Sequence, residues 1–168
     1  MTALAIVSNY ILISIPNVKL MDLIVFVTGF SFGPIKGALV GAMIWLVYGV
    51  INPYGFSFPV WISTMIGETV YGIVGGIRGK MGINIKRKRD YLIRSFEMSL
   101  WGILTTMFYD VLTNLVFSYS LGINFIQTLI IGLPFTLLHQ VSNAVIFFSL
   151  SLPLILGIGE LNCKNKYL

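Results

Sequence analysis

The chain has 168 residues, 57% hydrophobic and 10% charged, with a formal net charge of +5 and a mean hydropathy of +0.90. A soluble domain carries about 25% charged residues to cover its water-facing surface, so this composition excludes one and points to a single membrane domain over 1–168. One cysteine and one histidine exclude an intrachain disulfide framework and metal-ligand spacing of the Cys-x-x-Cys kind.

Residues 1–15 form an uncharged apolar run with neither a basic start nor a small-residue cleavage site. They read as a first membrane helix, 2–15, and not as a signal peptide. At about 1.5 Å per residue such a run falls short of a hydrocarbon core about 30 Å thick, so the span is expected to extend upstream of Met1. Pro16 ends it, and Asn17-Val18-Lys19 makes a short loop. A second, short span covers 20–32, with Asp22 near its start. Gly33-Pro34 is a turn, because a residue before proline is pushed out of the helical region and Pro34 suits a first helical turn. A third span covers 35–51.

Residues 52–59 are rich in turn formers and aromatics and read as a loop. The fourth span, 60–77, carries Glu68, and the fifth, 96–117, carries Asp110 and Asn114. After a break at 119–124, residues 125–158 are too long for one plain helix. Gly132 and Pro134 are expected to split them into a short interfacial or re-entrant segment ending at Leu133 and a sixth span over 135–156. The fold class is therefore an all-α integral membrane bundle of six transmembrane helices.

Between the fourth and fifth spans lies 78–94, which holds seven of the eleven Lys and Arg residues. Such loops resist translocation and stay in the cytoplasm. No soluble domain is present to carry a nucleic-acid patch, so no nucleic-acid partner is expected. Six spans then put both termini in the cytoplasm of a multi-pass cell-membrane protein. Ten of the eleven cationic residues lie inside, Lys164 and Lys166 among them, and Lys19 alone lies outside.

Small residues repeat at helical spacing: Gly37 with Gly41, Ala38 with Ala42, and Gly72 with Gly76. In lipid such faces let backbones approach closely, and packing within the chain is the expected use. Three polar sets interrupt the apolar spans. Glu68 shares a face with Thr64 and Tyr71; Asp110 shares one with Thr106, Thr113, Asn114 and Phe117; His139, Gln140 and Asn143 cluster on the sixth span. A carboxylate at this depth costs a few kcal/mol unless it is paired, protonated or beside water, so its default reading is functional. If the fourth to sixth spans adjoin, these faces share a pocket open to the outside, walled by Tyr54 and Trp61. Phe56 and Phe58 read better as interfacial anchors. Aromatics beside Asn, Asp and His suit a flat heterocycle.

No Gly-x-Ser-x-Gly, His-Glu-x-x-His or P-loop occurs, so neither an enzyme nor a bound cofactor or metal is expected. A small intramembrane enzyme using Glu68, Asp110 and His139 is the weaker alternative. A self-contained ion-coupled carrier is the other, although the halves 1–84 and 85–168 show no convincing repeat of the kind such carriers often carry.

The run from Pro16 through Gly29-x-x-x-Gly33-Pro34-x-x-Gly37-x-x-x-Gly41 resembles the second and third helices of the substrate-binding S components of energy-coupling factor (ECF) transporters. The stretch from Gly132 to Val145 is similar to the start of their last helix. The resemblance implies capture of a vitamin or similar micronutrient near the external face, between the last three helices and the first and third outer loops. That brings Asn17 and Lys19 into the candidate site with Tyr54, Trp61, Glu68, Asp110, Asn114, His139, Gln140 and Asn143. It also implies docking onto a transmembrane coupling subunit served by two cytoplasmic ATPases. The first helix departs from the family's Ala-x-x-x-Ala contact motif, having Ala3, Ala5 and Ser8 at other spacings.

Overall fold

Lipid offers the backbone no hydrogen-bond partners, so a spanning segment must satisfy its own N–H and C=O groups. In the computed structural model every regular element among the described residues is an α-helix. The structure describes residues 1–53 and 55–164, with the side chains of 161–164 set aside; Tyr54 and the tail with Lys166 lie outside that range. The helices are α1 (Thr2–Ile11), α2 (Met21–Phe32), α3 (Pro34–Ile51), α4 (Phe58–Gly79), α5 (Lys88–Leu121) and α6 (Phe125–Lys164). The last four are long and apolar enough to cross a membrane, whereas α1 and α2 have only 10 and 12 residues.

Helix α5 runs on to Leu121, past the expected end at 117, and α6 runs on past 156; three further differences from expectation shape the interior. The first helix stops at Ile11 and not at residue 15. The segment after it turns inward against α6, where Asn17 Nδ2 donates to the Phe135 carbonyl (3.1 Å) and Ser142 Oγ donates to the Asn17 carbonyl (3.3 Å). This descent lets α2 start inside the bundle and explains its shortness. The basic stretch is only partly loop, because α5 begins at Lys88. The Asp90 carboxylate accepts the backbone N–H groups of Lys86 and Arg87 (3.1 and 3.0 Å), which caps that end. Finally, 125–133 is no separate interfacial or re-entrant segment. It continues into α6, which carries Pro134 and Pro153 within it. Proline is tolerated inside a membrane helix when neighbours take up the freed backbone groups. Gly132 allows the close approach of α5 here: a Cβ on it would sit 3.0 Å from Asn114 Oδ1.

Helices α2, α3 and α4 meet backbone to backbone. A Cβ on Gly37 would lie 2.5 Å from Gly29 Cα and 2.8 Å from Gly72 Cα, and one on Gly75 would lie 2.2 Å from the Phe26 carbonyl oxygen. No side chain fits such distances, so the glycine repeats serve packing within the chain, as expected. Gly33, with φ of 100°, makes the turn from α2 to α3 in a conformation that other residues rarely adopt.

The far end of this seam is tied to α5. Arg78, buried in α4, binds Glu97 through Nε and, at 3.1 Å, through Nη2; Arg94 adds a 2.7 Å contact to the same carboxylate. Helix α4 thus runs from residue 58 to the basic segment over 22 residues, about 33 Å.

Candidate functional site

Midway along the bundle lies a buried polar seam. His139 of α6 stands between two acids, with Asp22 Oδ2 2.8 Å from Nε2 and Asp110 Oδ1 2.8 Å from Nδ1. A neutral imidazole has one N–H. The second contact therefore requires a further proton, on the ring or on a carboxyl group. Asn143, one turn along α6, donates from Nδ2 to Asp22 Oδ2 (2.7 Å) and to Thr106 Oγ1 (2.7 Å). Tyr71 of α4 donates its hydroxyl to Thr106 Oγ1 (2.8 Å). Four helices, α2, α4, α5 and α6, are cross-linked in this way at a depth where lipid would satisfy none of them. Glu68 adjoins the seam from α4; it is fully buried, and Trp45 Nε1 of α3 donates to its Oε2 (3.2 Å). Asp22 Oδ1, Glu68 Oε1 and Asn143 Oδ1 have no partner among the described residues, so the seam keeps spare acceptors.

Above the seam, at the end away from the basic segment, is a cavity of about 510 Å³. Its walls come from the end of α1, the descending segment 12–19, the last turns of α3, residues 55–57, the start of α4, and single residues of α5 and α6. Trp45, Tyr48, Trp61, Phe117 and Phe135 supply aromatic faces, and Lys19 is the one charged side chain among the lining residues. The Lys19 ammonium lies 5.4 Å from the Trp45 ring centroid and 5.0 Å from that of Tyr109, cation–π contacts that fix it at the junction of cavity and seam. Trp61 Nε1 donates to the Trp45 carbonyl (2.7 Å), which locks two aromatic walls together. The Trp61 ring packs where a Cβ on Gly49 would come within 2.2 Å, so that glycine makes room for it.

Of the residues expected at the site, Asn17, Lys19 and Trp61 line the cavity. Glu68, Asp110, His139 and Asn143, expected to face a shared pocket, lie together in or beside the seam beneath the cavity and not among its lining. Gln140 faces α5, where its amide lies beside the Ile103 carbonyl, the Met107 N–H and, at 3.4 Å from Nε2, Asp110 Oδ2. Asn114 turns back to its own helix, donating to the Asp110 carbonyl (2.7 Å). Tyr54 lies outside the described residues. Asp22 stands outside the residues expected at the site, although an acid in an otherwise apolar run is the same signal that singles out Glu68. Nothing in the sequence marks Trp45 or Tyr109, whose aromatic character is shared by 14% of the chain.

The fold and site define a helical membrane protein with an aromatic cavity of ligand size above a fixed polar floor. The family model of the ECF transporter substrate-specific component matches residues 1–153. The chain belongs to that family, which is a class of transporter components that bind a substrate and not a class of enzymes. No curated protein and no solved structure matches it.

Proposed function

We propose that this chain captures a vitamin or related micronutrient in the cavity, near the external face, and passes it on only in company with a transmembrane coupling subunit and two ATPases. The observation that carries this reading is the cavity itself: aromatic, amide-bearing, of a size that suits a small ligand, and set at the opposite end of α4 from the basic segment that the positive-inside rule assigns to the cytoplasm. Both termini are then cytoplasmic. Asn17, Lys19 and Trp61 would touch the ligand. Glu68, Asp110, His139 and Asn143 would hold the floor on which Lys19 and Trp45 stand, with Gln140 packed between α6 and α5 and Asn114 facing Gly132 of α6.

The test is purification in mild detergent followed by native mass spectrometry, with uptake measured in liposomes. A retained small molecule, and no accumulation by the isolated chain under an ion gradient, is the expected result. Gradient-driven uptake by the chain alone would make it a self-contained carrier and overturn the proposal.

A further inference from the structure

An ammonium group carries three N–H donors and no acceptor. Lys19 is held in the cavity wall by the faces of Trp45 and Tyr109, contacts that leave those donors unspent. Among the described residues no carboxylate lies within 4.0 Å of it. Asp110 Oδ1 and Asp22 Oδ2 are engaged with His139, and Asp22 Oδ2 with Asn143 as well; Asp22 Oδ1 and Glu68 Oε1, which have no hydrogen-bond partner among the described residues, form no ion pair with Lys19 either.

No Asp or Glu is among the residues lining the cavity. An anion entering it meets the ammonium at a contact distance of about 2.8 Å, while the buried acids stay further away. Because Coulomb energy falls with distance, the near cation sets the sign felt by the ligand. The other walls combine ring faces, those of Trp45, Tyr48, Phe56, Trp61, Phe117 and Phe135, with aliphatic side chains and uncharged polar groups such as Asn9, Asn17 and Asn52. Such faces favour a flat partner in offset or edge contact.

We propose that the cavity takes a small molecule with a flat ring system and an anionic oxygen group, and that Lys19 binds that group. This assignment rests on the reading of the cavity as the substrate site. A ligand with an amine in the same place would meet Lys19 as a like charge and be rejected.

Matched probes on one ring test it: indole-3-acetic acid, indole-3-acetamide and tryptamine, with nicotinic acid, nicotinamide and 3-picolylamine as a second series. Each is added to the purified protein and followed by thermal unfolding and native mass spectrometry. The acids are expected to raise the unfolding temperature most, the amides less, and the amines not at all. Lys19→Gln should weaken binding of the acids at least tenfold and erase their preference over the amides, and Lys19→Arg should keep part of it. The comparison within the unaltered protein stands even if a variant fails to fold. Amides or amines binding as well as acids would overturn the assignment while leaving capture intact. No shift from any probe, with an empty native spectrum, would overturn both.

Discussion

The glycine-packed contact of α2, α3 and α4 and the cavity at the other end of the same helices are built on opposite principles. In the first, backbones touch so closely that a Cβ on Gly72 would sit 2.2 Å from the Gly37 carbonyl carbon. In the second, residues 12–19 and 55–57 leave a space of about 510 Å³ between aromatic walls. The polar seam lies between them and belongs to both. It fixes four helices through paired groups, and Trp45 and Lys19, which line the cavity, stand on its upper surface. A close-packed frame gives one well-defined position to each helix. The cavity can therefore be walled by short segments without losing its shape.

The largest effect should come from breaking the frame. Gly72→Leu forces a side chain into the α3 backbone, and nothing nearby can yield. The variant should fail to give a monodisperse protein in detergent. Gly157→Ala, where a Cβ meets nothing within 4 Å, should elute and unfold like the parent. Size-exclusion profiles with a fluorescent tag read both. A well-behaved Gly72→Leu would show that α3 and α4 can separate and that the frame is not rigid.

The seam should respond next. Asp22→Ala strips the acceptor from His139 Nε2 and from Asn143 Nδ2. Removing one partner of a buried ionic network costs about 3–5 kcal/mol. Asp110→Ala removes the other histidine contact and should act in the same direction. Both, with Asn143→Ala, are expected to weaken ligand retention well beyond Phe148→Ala, whose ring packs edge-on against Phe96 at 4.9 Å away from the cavity lining. Thermal unfolding and ligand titration give the comparison. Equal losses across all four variants would place the ligand elsewhere.

How far the sequence carries depends on which of these regions is asked about. The frame is legible because its signals are local. Gly37, Gly41, Gly72 and Gly76 fall at helical spacing, and the turn at Gly33-Pro34 is written in two residues. Helices α2 and α3 accordingly begin and end within one residue of the expected spans. The seam is half legible. Isolated acids and amides in apolar spans announce a polar interior, but only the fold shows that His139 lies between Asp22 and Asp110, residues 117 and 29 positions away. The cavity is least legible, since Lys19 and Trp45 meet through a descending segment with no periodicity. Pro134 lies within α6 and does not divide it, for a related reason. A proline breaks an isolated helix, and whether it does so in lipid depends on the neighbours packed around it.

The smallest expected effect separates cavity from frame most finely. Trp61→Phe keeps a ring against Gly49 and removes one hydrogen bond, from Nε1 to the Trp45 carbonyl. A single such bond contributes about 1 kcal/mol net. The frame does not depend on it, so the unfolding temperature should fall only slightly. Trp45 also caps Glu68 and faces Lys19, so releasing its carbonyl loosens the wall nearest the ligand. Affinity should drop up to about fivefold if the whole of that 1 kcal/mol falls on the bound state, since a decade corresponds to about 1.4 kcal/mol. Isothermal titration beside a melting curve distinguishes the two quantities. A loss of stability as large as the loss of affinity would mean that the aromatic wall helps hold the bundle together, and that frame and cavity are not the separable structures described above.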